Sequence, residues 1–79
     1  MEVRYYAGAA EAAGHEVVHL DAAEVTANEA VSSLGDDNEA LARVLAASSL
    51  LADGVRVTDR DTVLAGVKQL DVLPPFAGG

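Results

Sequence analysis

The sequence predicts a small α+β domain, and three observations carry that prediction. Stretches of period-two alternation rich in β-formers open and close the chain, and two capped helical stripes lie between them. The third is size: 79 residues, 51% hydrophobic, fill one core and no more.

Taken in order, "EVRYYA" (Glu2 to Ala7) alternates as a strand, with Val3, Tyr5 and Ala7 on one face and Glu2, Arg4 and Tyr6 on the other. "AGAAEAAG" follows as an alanine-rich turn or single helical turn that closes at Gly14. "EVVHL" is a second strand. Thr26-Ala27-Asn28-Glu29 is a capping-box sequence: the Thr hydroxyl can take the N3 amide while the Glu carboxylate reaches back. Ala27, Ala30, Val31 and Leu34 then fall at helical spacing, and Gly35 stands where a C-cap is wanted. A second helix is expected from near Asp36, with Leu41, Val44, Leu45 and Ser48 as its stripe. "SLLAD" and "VRV" flank the turn dipeptide Asp53-Gly54, a hairpin signal. "TDRDTVLAGV" is rich in turn residues, and "QLDVL" (Gln69 to Leu73) is the last strand, ended by Pro74.

Composition removes several function classes. The net charge is −8 with only five basic residues, so the clustered Lys and Arg that nucleic-acid binding needs are missing. Without cysteine there is no disulfide framework, thiolate metal site or cysteine nucleophile, which fits a cytoplasmic protein. No membrane-spanning stretch or signal peptide is expected. His15 and His19 lie in turn and strand rather than on one helix, so they read as surface residues and no metal site is expected. Asp36-Asp37 and Asp59/Asp61 read as cap and turn residues. With a single Phe and no Trp, the core is expected to rest on Val, Leu and the two tyrosines.

Two apolar side chains are out of phase. Tyr6 shares a face with Glu2 and Arg4, and Leu73 shares one with Asp71. If the first and last strands are neighbours, Tyr6 and Leu73 form a patch on the side away from the helices. The closing "VLPPFAGG" is equally unusual. Pro74 and Pro75 fix φ and favour an extended approach, while Gly78-Gly79 can thread a passage too narrow for a substituted chain. The expected organisation is a domain over 1–73 and an extended tail over 74–79 that presents a carboxylate on Gly79. Such a carboxylate becomes reactive once adenylylated by ATP, and a sulfur nucleophile then yields a terminal thiocarboxylate.

On "VRYYAGAAEAAG", "TANEAVSSL", "LLADGVRVTDRDTVL" and above all "DVLPPFAGG", the sequence resembles the small subunit of molybdopterin synthase over nearly its whole length. The resemblance implies the ubiquitin-like β-grasp fold, with the first and last strands side by side and parallel. It implies that Gly79 is adenylylated by a ubiquitin-activating-type adenylyltransferase using ATP and converted to a thiocarboxylate by a sulfur donor protein. Pro74, Pro75, Phe76, Ala77 and Gly78 would thread into the synthase large subunit, where the sulfur passes to the cyclic pyranopterin precursor. The chain would then be a co-substrate in a two-plus-two assembly whose catalytic pocket belongs to the large subunit, with no cofactor bound to the chain itself. Positions matching Tyr6, Val57 and Leu73 form the family's partner-binding patch. The sequence departs from the family at "AGVKQLD", where an Asp-Gly-Asp turn is usual, and at the bulky Phe76.

Three alternatives stand beside this reading. A carrier for thiamine or cysteine biosynthesis shares the tail chemistry. A ubiquitin-like modifier would join Gly79 to amines, and Lys68 is the one lysine available for self-chains. A plain interaction domain would have an inert tail.

Overall fold

A computed structural model describes residues 1–21 and 24–75. The elements run β1 (Glu2–Tyr5), α1 (Gly8–Ala13), β2 (Val17–His19), α2 (Ala27–Leu34), α3 (Glu39–Ala47), β3 (Ser49–Ala52), β4 (Val55–Arg56) and β5 (Gln69–Leu73). The strands form one five-stranded sheet in the order β2-β1-β5-β3-β4. β1 and β5 are parallel, with Val3 opposite Leu70 and Tyr5 opposite Val72, and every other pairing is antiparallel. This is the β-grasp arrangement, with the first and last strands side by side at its centre.

The core lies between the sheet and the helices. Val3, Tyr5, Leu50, Leu70 and Val72 line the sheet side; Ala9, Ala27, Ala30, Leu41 and Leu45 come from the helices, and Leu64 from the loop before β5. Each fully buried Leu or Val removes enough apolar surface from water to contribute about 1.5–3 kcal/mol. Small alanines on the helices let α1 and α2 each pack close against α3. Of the two tyrosines expected in the core only Tyr5 is there, at 4% exposure against 40% for Tyr6.

The capping box forms as read: Thr26 Oγ1 accepts from the Glu29 N–H at 3.1 Å, and Glu29 Oε1 accepts from the Thr26 N–H at 2.9 Å. The alanine-rich stretch becomes α1, closed by Gly14 in the left-handed region at φ 78°. That conformation suits glycine because it has no Cβ to clash.

Two of the boundaries that differ from expectation have a clear cause. β1 ends at Tyr5 because Ala7 turns at φ 48°, and the Tyr6 and Ala7 carbonyls accept the N–H groups of Ala9 and Ala10. Ala7 therefore leaves the face it was expected to share with Val3 and Tyr5, and is exposed. Secondly, α3 starts at Glu39, not near Asp36. Its cap is Asn38, whose Oδ1 accepts from the Leu41 N–H at 3.0 Å while its Nδ2 donates to the Ala12 carbonyl at 2.7 Å. An aspartate can only accept, whereas the Asn amide caps α3 and ties it to α1 at once. Asp36 and Asp37 lie in the preceding turn. Gly35 caps α2 as expected, at φ −96°. Its need is space: a Cβ there would meet Cα and Cβ of Ala42 at 3.0 Å, where α2 and α3 cross.

Candidate functional site

Parallel pairing of β1 and β5 means that both strands end at the same edge of the sheet. The Tyr6 N–H continues the ladder past β1 by donating to the Val72 carbonyl at 3.2 Å. Since Leu70 and Val72 are fully buried, alternation turns Leu73 to the opposite face, where it is half-buried. Tyr6 is exposed beside it. The structure thus brings together the two residues that phase alone singles out, on the sheet face away from the helices.

The third position, Val57, is placed elsewhere. Its N–H donates to the carbonyl of buried Leu50 at 2.9 Å, and its side chain is half-buried against the core. Leu51 is the apolar residue that joins the outer face instead, opposite Asp71. Its signal was present in "SLLAD", because two consecutive leucines in a strand must face opposite ways.

Around this pair the outer face is largely polar. The register sets Arg4, Asp71, Leu51 and Arg56 in one row across β1, β5, β3 and β4. Arg4 Nε donates to Glu2 Oε2 at 3.2 Å. That hydrogen bond and the Glu2 charge, with smaller contributions from Tyr6 and Asp71, push the guanidinium pKa up, so Arg4 is cationic at any relevant pH. Asp71 Oδ1 accepts from Gln69 Nε2 at 2.9 Å.

At the same edge the chain leaves β5 through Pro74, which is buried, and Pro75, which is exposed. Both line an apolar cleft with Ala7, Gly8, Val44 and Ala47, and Arg43 at its rim is held by Glu39 at 2.8 Å. Phe76, Ala77, Gly78 and Gly79 lie outside the described residues. The last described residue is therefore next to the Tyr6–Leu73 pair and rooted in a cleft between the start of α1 and one side of α3.

Other candidates stay apart from this edge. His15 and His19 are exposed and border a shallow depression with Ala13, Asn38 and Ser33. Among the described residues no group of three or more His, Asp or Glu side chains is arranged to hold a metal ion. Asp59 closes its own turn by accepting the Asp61 N–H at 2.9 Å. Arg60 donates to the Leu45 carbonyl at 3.2 Å and to the Ser48 carbonyl, fastening that turn to the C-terminal end of α3. No described helix is long and apolar enough to cross a membrane.

No protein-family model matches the sequence, and no curated protein matches it. Solved structures do. The crystal structure of SAMP1 from Haloferax volcanii is 26% identical, with 99% of this chain and 97% of that one covered at a TM-score of 0.79. A crystal structure of H. volcanii small archaeal modifier protein 1 is 25% identical over 94% of each chain, at a TM-score of 0.78. The solution structure of an H. volcanii protein at 24% identity shares the fold, at a TM-score of 0.78 over 99% of this chain and 84% of that one. The chain thus has the ubiquitin-like β-grasp fold of small archaeal modifier proteins.

Proposed function

We propose that the chain is a cytoplasmic sulfur carrier whose Gly79 carboxylate is the working group, and that it serves as the small subunit of molybdopterin synthase. The observation that supports this reading is the shared edge. Parallel β1 and β5 put Tyr6 and Leu73 together where the chain leaves through Pro74 and Pro75 toward Gly78 and Gly79. A partner that docks on the Tyr6–Leu73 face receives the tail at the same time.

The chemistry needs two partners and a sulfur source. An activating-type enzyme joins the Gly79 carboxylate to the α-phosphorus of ATP, releasing pyrophosphate. A sulfur donor at the hydrosulfide oxidation level displaces AMP, leaving a thiocarboxylate. In the large subunit the thiocarboxylate sulfur forms a C–S bond to a carbon of the cyclic pyranopterin precursor as an oxygen substituent leaves that carbon. Water then cleaves the resulting thioester, leaving the sulfur on the pterin and returning the Gly79 carboxylate. The chain is a co-substrate throughout, and its glycines supply an unhindered acyl carbon.

The structural neighbours favour a second reading, a protein modifier, because two of them are small archaeal modifier proteins. There the acyl adenylate, or a thioester derived from it, is attacked by a lysine amine to give an isopeptide bond. Intact mass of the protein from its own host, with the C-terminal peptide mapped, separates the readings. Replacement of oxygen by sulfur on Gly79 is the expected result. Gly79 joined to lysines of other proteins, with no thiocarboxylate, identifies the modifier, and an unmodified carboxylate that persists with ATP, activating enzyme and sulfide sinks both.

A further inference from the structure

The outer sheet face carries a charge pattern unlike the rest of the molecule. Its strand residues include two acids, Glu2 and Asp71, and two bases, Arg4 and Arg56. The face is therefore neutral, and the net charge of −8 belongs to the remainder of the chain. A surface that attracted a basic partner by charge would put those acids at the contact, whereas here they are elsewhere.

Within the neutral face, three of the four charges are already satisfied. Arg4 is bound to Glu2 at 3.2 Å, and Asp71 is bound by Gln69 at 2.9 Å. Arg56 is the exception. It is exposed on the two-residue edge strand β4, opposite half-buried Leu51, and among the described residues it has no ion-pair partner. Arg43 is held by Glu39, and Arg60 by two backbone carbonyls. An unengaged guanidinium at the rim of an apolar, neutral surface is a fork of donors fitted to a planar carboxylate.

We infer that Arg56 is a specificity contact for the protein that receives the tail, pairing with a carboxylate beside that partner's apolar docking surface. The inference rests on the reading that the Tyr6–Leu73 face is where the tail's acceptor docks. It adds the partner's chemistry: an apolar surface covers Tyr6, Leu73 and Leu51, and an acidic side chain stands on the β4 side. Long-range attraction is not the source of selectivity, since the molecule as a whole repels an acidic group and only Arg56 rewards one locally.

The test is titration of the full chain against the large subunit of molybdopterin synthase from the same organism, by calorimetry. Arg56→Glu is expected to weaken binding roughly tenfold or more, with Arg56→Lys intermediate because the ammonium lacks the planar fork. Lys68→Glu changes net charge by the same amount at the far end of β5 and is expected to leave the affinity within about twofold. The unfolding midpoints of these exposed variants serve as the check that each is folded. Equal weakening by Arg56→Glu and Lys68→Glu would mean long-range charge and would overturn the inference. So would an unchanged affinity in Arg56→Glu. If Tyr6→Ala still weakens binding in that case, the docking reading survives and only the role of Arg56 falls. No binding by the unmodified chain overturns both.

Discussion

Tyr5 and Tyr6 are the same residue, adjacent in the chain, and they stand in opposite surroundings. Tyr5 faces the helices at 4% exposure, beside Val3 and opposite Val72. Tyr6 is 40% exposed on the other side, next to Leu73 and near the Arg4–Glu2 pair. Because a strand alternates, neighbours in sequence can be assigned separately to stability and to recognition. The inner face spends its apolar residues on the core, whereas the outer face holds a few apolar groups among polar ones and contributes little to folding.

The comparison can be broken most directly through Leu70. It is fully buried at the centre of the inner face, so Leu70→Ala is expected to cost about 2–5 kcal/mol, seen as a lower denaturation midpoint. A loss below about 1 kcal/mol would mean the inner face does not dominate stability. Thr26→Ala sits on neither face and removes half of the capping box. It should cost about 1 kcal/mol while leaving partner affinity unchanged, which separates lost stability from lost docking.

Tyr5 sharpens the contrast through pH. Burial raises its phenol pKa above the ordinary 10.0, because the phenolate would lose its hydration. The folded state holds that proton more tightly than the unfolded chain. The associated stability is fully present below the unfolded pKa and is lost as pH rises through the folded one. Denaturation followed from neutral to strongly alkaline pH should show this loss in the natural chain and a smaller one in Tyr5→Phe. The smallest effect on folding is expected for Tyr6→Ala, about 0.5 kcal/mol or less, with its consequence appearing in partner binding.

Much of this division is legible in the sequence. Strand positions, the Asp53-Gly54 hairpin, the capping box and Gly14 all follow from local signals that the structure bears out. Tyr6 and Leu73 follow from phase, given that β1 and β5 are neighbours. What stayed hidden depends on contacts distant in sequence. Asn38 outcompetes Asp36 as a cap because the Ala12 carbonyl is within reach of its amide. Gly35 is required by Ala42 across a helix crossing, and Leu64 is buried because its N–H is drawn to the Val25 carbonyl. Arg56 belongs to the outer row only through two successive strand registers, which no local pattern reveals.

The central position of β5 has a consequence for how the protein is made. It is the last of the described elements, yet it lies between β1 and β3 and joins the two halves of the sheet. A nascent chain still lacking these residues has β1 and β3 with no strand between them and most of the inner face exposed. Closure must bring together strands from opposite ends of the chain, a non-local step that slows folding and has to wait until translation has passed Leu73. Ribosomal products that stop short of β5 therefore have neither a completed sheet nor the paired surface of Tyr6 and Leu73, and a partner that reads that surface discriminates against them without inspecting the tail.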